Sequence, residues 1–277
     1  MHKASARLAQ GAVGFRIALV AFAGALIGSP AAKAETSLTF AQQVVLPGSP
    51  FAVQTTSDGH WAFTSLSGRS MGIAILEHIN RGYQLVHIVP TTGPALGLTL
   101  SRDGSLLLAA TAPHSVAFID VGRAIAGAPD AVLGYQSLGA VAGTIELALS
   151  GDGRFLFAAN ENSSSVSVIN VRNALRSDFA ASAVIGQIPV ERAPVGLAVS
   201  PDDAHLFVTN EQAKAGTPGY NPNACTLPAG TLGPQGTITV VDVRRAEISP
   251  ATSVVSRAYA GCVPVRIELS RTGDIGW

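Results

Sequence analysis

The chain has 277 residues, 47% of them hydrophobic and 13% charged, with 29 glycines and 16 prolines. That balance supplies enough apolar side chain for a large packed domain together with many turn residues, and it excludes a disordered chain. Formal net charge is zero, and Lys and Arg cluster no more tightly than the pair Arg244-Arg245, which excludes the basic footprint of a nucleic-acid binder.

The chain opens on a stretch unlike the rest. Lys3, Arg7 and Arg16 precede an apolar run at 17–27, and Ala32-Lys33-Ala34 places small residues at the −3 and −1 positions of a cleavage site. Residues 1–34 are therefore predicted to be a secretory signal peptide, with an uncleaved anchor as the alternative. The run is short for a bilayer span, so no stable membrane span is expected after cleavage. Export would place the two cysteines, Cys225 and Cys262, in an oxidising compartment, where pairing is expected. The mature product is expected in the periplasm, at the cell surface or in the medium.

Residues 35–277 repeat. An apolar strand, a tight polar turn and a second apolar strand recur at 50–65, 94–111, 144–160, 194–210 and 264–277. The turns centre on Asp58, Asp103, Asp152, Asp202 and Thr272, at spacings of 45, 49, 50 and 70. Three near-equal periods and one long one indicate units of about four short strands. Third strands follow at 72–78, 115–121, 165–171 and 237–243, each holding Glu77, Asp120, Asn170 or Asp242 near its end. A short polar acceptor there is expected to cap the next turn. Fourth strands follow at 83–89, 132–138, 183–190 and 253–260, with short helical turns expected at 123–127 and 173–179. Residues 38–48 read as one more fourth strand, lying ahead of the first unit. The long period comes from a Gly/Pro-rich insertion at 213–236 with one aromatic, Tyr220. It lies in the loop after a second strand, and Cys262 lies in the next inter-unit loop on the same face. A Cys225–Cys262 disulfide pinning the insertion is therefore expected.

The segments PVGLAVSPDDAHLFVTNE at 194–211 and FLFAANENSSSVSVINV at 155–171 resemble the YVTN-repeat signature. The resemblance implies an all-β, four-stranded-blade β-propeller, similar to the 6-phosphogluconolactonase-like (lactonase-type) propellers, which are commonly seven-bladed. Four whole units and part of a fifth fall within the chain. The expectation is thus an incomplete ring, shortened at its C-terminal end.

No zinc-protease motif, phosphate loop or C-x-x-C is present, and no cofactor motif is identified. His78 and His87 read as ordinary strand residues. Aligning the first strand of each unit on its turn places Ala52, Gly97, Glu146, Gly196 and Arg266 at one position, on the strand that lines a propeller's channel. Glycine suits close backbone approach there. Glu146 and Arg266 stand out as opposite charges, either a polar ligand site or the lining of a water-filled channel. Lactonase-type propellers hold a divalent metal on acidic channel residues, but one Glu does not make a metal site. Asn160-Glu161 and Asn210-Glu211 recur at equivalent loop positions on one face, as a second polar ligand or partner site or as turn chemistry. The first functional reading is a non-catalytic binding scaffold for a protein or small polar ligand. The alternative is a lactonase-type hydrolase working through channel carboxylates.

Overall fold

The computed structural model describes residues 43–80, 82–226, 230–270, 272, 273 and 276. The signal-peptide reading of 1–34 lies outside them. Four four-stranded antiparallel sheets follow one another along the chain, each with its strands side by side in chain order. The first holds β1 (Ser49–Thr55), β2 (Trp61–Ser67), β3 (Gly72–Ile79) and β4 (Gly82–Pro90). The second holds β5 (Ala95–Leu100), β6 (Leu106–Thr111), β7 (Ser115–Asp120) and, after helix α1 (Val121–Ile125), β8 (Val132–Ser137). The third holds β9 (Thr144–Leu149), β10 (Phe155–Asn160), β11 (Ser165–Asn170) and, after α2 (Val171–Arg176), β12 (Val184–Pro189). The fourth begins with β13 (Arg192–Val199) and β14 (His205–Gln212). It then gives way to an insertion hairpin of β15 (Cys225–Thr226) and β16 (Leu232–Gly233), and resumes with β17 (Thr237–Asp242), α3 (Val243–Ala246) and β18 (Val254–Tyr259). Among the described residues, no helix is long and apolar enough to cross a membrane.

The sheets pack face to face because their middle strands are apolar on both sides. Successive strand residues point to opposite faces. In β6, Leu107 and Ala109 join Phe63, Ile73 and Ile75 of the first sheet. Their neighbours Leu108 and Ala110 join Leu147, Leu156 and Ala158 of the third. The third sheet repeats this against the fourth, where Phe157, Ala159 and Val168 meet Leu197, Leu206 and Val208. Leu107, Leu108 and Phe157 are fully buried, and truncating such a side chain costs about 2–5 kcal/mol. The first strands β1, β5, β9 and β13 adjoin one another in order, so the layout is all-β and propeller-like, with first strands innermost.

Each sheet's first hairpin is closed by one repeated hydrogen-bond unit. The hydroxyls of Thr56, Ser101, Ser150 and Ser200 donate to the carboxylates of Asp58, Asp103, Asp152 and Asp202 at 2.5, 2.6, 2.7 and 2.5 Å. Each hydroxyl oxygen also accepts the backbone N–H at the start of the next strand: Trp61, Leu106, Phe155 or His205. The turn residue that follows has positive φ, 71° at Gly104 and 70° at Gly153, with Asp203 taking that place at 58°. At the other ends of the sheets, the side chains of Asp120, Asn170 and Asp242 cap α1, α2 and α3 by accepting the N–H of Arg123, Asn173 and Arg245, each at 2.9 Å. The expected capping holds at these three positions. Helix α3 is an addition to the two helical turns expected from the sequence. Glu77 caps no helix among the described residues, since β3 runs on past it to Ile79, with Asn80 following at φ 57°.

Two strand expectations are corrected. Residues 43–48 are not a strand, and 38–42 lie outside the described residues. Residues 264–270 form no strand: among the described residues of this stretch there is one isolated bridge, Leu269–Gly276, and a turn at which the Gly273 N–H donates to Ser270 O. A strand needs a hydrogen-bonded neighbour along its length, and neither segment has one among the described residues.

The turn aspartates titrate low. Hydroxyl donation from Thr56, Ser101 and Ser200 holds Asp58, Asp103 and Asp202 below the ordinary aspartate value. At Asp152 burial pushes upward, but the Arg154 N–H, the Ser150 hydroxyl and the Arg154 charge outweigh it. A carboxylate with a depressed folded pKa stabilises above the unfolded value of about 3.9 and loses that stabilisation as pH falls through the folded value. Asp103→Ala is therefore expected to lower Tm by about 2 °C at pH 7, with the gap to wild type narrowing in melts taken between pH 4 and pH 2. A gap that stays constant over that range would contradict the carboxylate's role.

Candidate functional site

The innermost strands enclose an open channel cavity of about 710 Å³, within the range of ligand sites. Ala52, Glu146, Gly196 and Arg266 line it, as the register of the repeats anticipates. Two residues further along, Gln54, Thr99, Ala148, Ala198 and Glu268 form a second layer. Gln54, Thr99 and Glu268 were missed by a reading confined to one register position; the period-2 alternation of the same strands points to them.

Glycine makes the first layer possible. A Cβ on Gly97 would lie 2.5 Å from Glu146 Oε1 and 2.6 Å from the Ile145 carbonyl oxygen. A Cβ on Gly196 would lie 2.7 Å from the Val265 carbonyl oxygen and run into the Thr209 hydroxyl. Each glycine thus gives up its side-chain volume to the next unit's first strand, Gly97 to Glu146 and Gly196 to the backbone that carries Arg266. The Thr209 hydroxyl donates to Val265 O at 3.3 Å and helps hold that backbone.

Glu146 is 5% exposed. Its Oε1 accepts the Leu147 N–H at 3.1 Å, and its Oε2 accepts from Arg266 Nη1. The Arg266 side chain remains 47% exposed, with its guanidinium over the Phe51 ring at 5.4 Å. Burial pushes the Glu146 carboxyl above its ordinary value; Arg266 and the Leu147 N–H pull it back without cancelling the rise, and the charge of Glu268 adds to it. The arrangement is a buried carboxylate in direct contact with a half-exposed guanidinium on the wall of the cavity. It can accept and return a proton, and it can donate hydrogen bonds to a developing negative charge. Among the described residues, no group of three or more His, Cys, Asp and Glu converges as a metal site.

The loop pairs lie elsewhere, and none of their four residues borders the channel cavity. Asn160 is fully buried, donating to Ser165 and Ser167 and accepting from Thr144. Asn210 is fully buried as well and donates to Thr237 and Thr239. Its Oδ1 has no partner among the described residues, because the unit's counterpart of Thr144 is Pro194, which brings no hydroxyl. Both amides join the second and third strands of their own sheets. Glu161 and Glu211 are half-buried, and burial and the charge of Glu161 raise the Glu211 carboxyl.

The Cys225–Cys262 disulfide is present, with a Cα–Cα distance of 5.6 Å. Closing its 37-residue loop contributes about 4 kcal/mol on the chain-entropy account. The buried Glu191 carboxylate anchors the start of the insertion, accepting from Lys214 N at 2.6 Å, Thr217 Oγ1 at 3.2 Å and Arg257 Nε at 3.1 Å. Cys262 lies four residues before Arg266. The cross-link therefore fastens the segment that delivers the guanidinium.

No family model and no curated protein sequence matches the chain, so the YVTN resemblance rests on the repeat motifs. Solved structures do match. A functionally unknown protein from Desulfotomaculum acetoxidans aligns with TM-score 0.60 at 13% identity, over 82% of this chain and 62% of that one. A provisionally named 6-phosphogluconolactonase from Bacteroides uniformis aligns at 0.54 and 15%, over 79% and 60%. The periplasmic gluconolactonase PpgL of Pseudomonas aeruginosa aligns at 0.56 and 17%, over 81% and 61%. The fold is lactonase-like and propeller-like. At these identities the likeness concerns the fold alone, and the aligned region spans about six tenths of each relative's length.

Gly97→Ala is expected to destabilise the protein by about 1–3 kcal/mol in urea unfolding. The added methyl meets a carbonyl oxygen and a carboxylate that are both fixed in place. An unchanged unfolding midpoint would contradict the close approach of β5 and β9.

Proposed function

We propose that this chain is a lactonase-type hydrolase that opens a sugar-derived lactone in an exported compartment. The reading is carried by the Glu146–Arg266 pair, a buried carboxylate against a half-exposed guanidinium on the wall of a ligand-sized cavity. Two relatives in fold bear lactonase names, which favours hydrolysis over the non-catalytic scaffold that the sequence put first. The periplasmic relative and the disulfide favour export.

Hydrolysis requires water to add to the lactone carbonyl carbon, a negative charge to be stabilised on the carbonyl oxygen, and the ring C–O bond to break with a proton delivered to the leaving oxygen. Glu146 takes the proton from the attacking water and returns it to the ring oxygen, so it ends the cycle ionised, as it began. Arg266 donates to the carbonyl oxygen as charge develops there. A guanidinium has five N–H donors, and the exposed part of this one faces solvent while another part holds Glu146. Burial raises the Glu146 carboxyl and so makes its carboxylate a stronger base, while the Arg266 charge opposes that rise and favours the ionised form.

Glu146→Gln keeps an acceptor for the Leu147 N–H and removes a buried charge, so the variant is expected to fold. Its kcat/KM for lactone opening, corrected for spontaneous hydrolysis, is expected to fall about 100-fold or more. In the wild type, kcat/KM is expected to rise with pH through a value above that of an ordinary glutamate, a limb the variant lacks. Turnover unaffected by the substitution would remove Glu146 from the reaction. Binding of lactone by a protein without any turnover would return the scaffold reading.

A further inference from the structure

We propose that the lactone admitted by this cavity is uncharged, and that the wall discriminates against a phosphorylated one. This rests on the hydrolase reading of the same site. Among the described residues, the cavity wall holds three ionisable side chains: Glu146, Arg266 and Glu268. The one cation of these three is already paired to Glu146, so the described residues give the wall one net negative charge. Glu268 lies close enough for its charge to act on Glu146. A phosphate monoester carries nearly two negative charges at neutral pH and is ordinarily met by arginines that are not already neutralised, by lysine, or by clustered backbone N–H groups. Here it would lose part of its hydration beside two carboxylates and compete with one of them for the one guanidinium that the described residues bring to the wall.

The rest of the wall suits hydroxyl groups. Gln54 donates its amide N–H to Leu98 O at 3.1 Å, which leaves its side-chain oxygen as the group offered to a ligand O–H. Thr99 presents a hydroxyl that both donates and accepts. Ala148, Ala198 and Gly196 keep the same layers shallow, so a polyhydroxylated ring has space to lie against them. The Phe51 ring, 42% exposed on this wall, adds an apolar plane of the kind against which a sugar's C–H face rests. The charge balance, more than the shape, decides between the two kinds of lactone, because hydroxyl contacts are available to both and the phosphate penalty falls on one.

The test compares kcat/KM for gluconolactone and 6-phosphogluconolactone on the full-length, disulfide-bonded protein. The neutral lactone is expected to be favoured at least 10-fold. The preference is expected to shrink as salt is raised, because the penalty is electrostatic, and to narrow by about 10-fold or reverse in Glu268→Lys. Equal or faster opening of the phosphorylated lactone overturns the proposal and leaves the hydrolase reading standing. If neither lactone is turned over, the hydrolase reading fails instead. Calorimetric binding of gluconate against 6-phosphogluconate then decides the selectivity by itself: tighter gluconate supports it, and equal or tighter phosphogluconate overturns it.

Discussion

The innermost segments of neighbouring units approach closely, and the absence of two side chains makes that approach possible. Where β5 meets β9, and where β13 meets the segment carrying Arg266, no Cβ fits at Gly97 or Gly196. The volume given up by one unit is occupied by the next, so the inner wall is built by successive displacement around the channel. Two charged residues, Glu146 and Arg266, arrive through that spacing from positions 120 residues apart. Had either glycine been alanine, the neighbouring backbones would stand further apart.

The periphery maintains this approach. Middle strands such as β6 and β10 are buried on both faces, so each sheet is clamped between its neighbours and the first strands have little freedom to retreat. The hydroxyl–aspartate turns fix where each first strand ends, and thereby which residues reach the channel. Arg266 is the exception in its support, since the residues around it form no sheet. Its position depends on the Thr209 bond to Val265, on Ile267 packed against Phe207 and Ile238, on the ion pair itself and on the nearby disulfide. A stapled insertion at that point stands in for the strand pairing that holds the other four inner segments.

Much of this was legible in the residues. The turn aspartates marked the units because a tight hairpin needs an acceptor and a positive φ at fixed offsets. Aligning on them put Glu146 and Arg266 at one register position before any contact was known. Asp120, Asn170 and Asp242 likewise announced their capping role. Pairing was less legible. Residues 264–270 have the same alternation as β13, but alternation records which face is apolar and is silent on whether a partner strand is present. The same reason defeats the strand reading of 43–48. Asn160 and Asn210 were ambiguous for another cause: an asparagine next to a loop looks alike in sequence whether its amide turns outward to a ligand or inward to Ser167 and Thr239. Glu268 was overlooked because its unit counterparts, Thr99, Ala148 and Ala198, are not charged, so the column showed no pattern.

The central claim is that burial and Arg266 act against each other on one carboxyl group, with burial the stronger. The most direct measurement is a carbon-detected NMR titration of the Glu146 carboxyl in wild type and in Arg266→Ala. The account predicts a wild-type midpoint above the ordinary glutamate value of about 4.3, moving higher still in Arg266→Ala, where the opposing charge is gone and the burial remains. A wild-type midpoint at or below the ordinary value, unmoved by the loss of Arg266, would contradict it: the carboxyl would then be hydrated and the pair absent in solution.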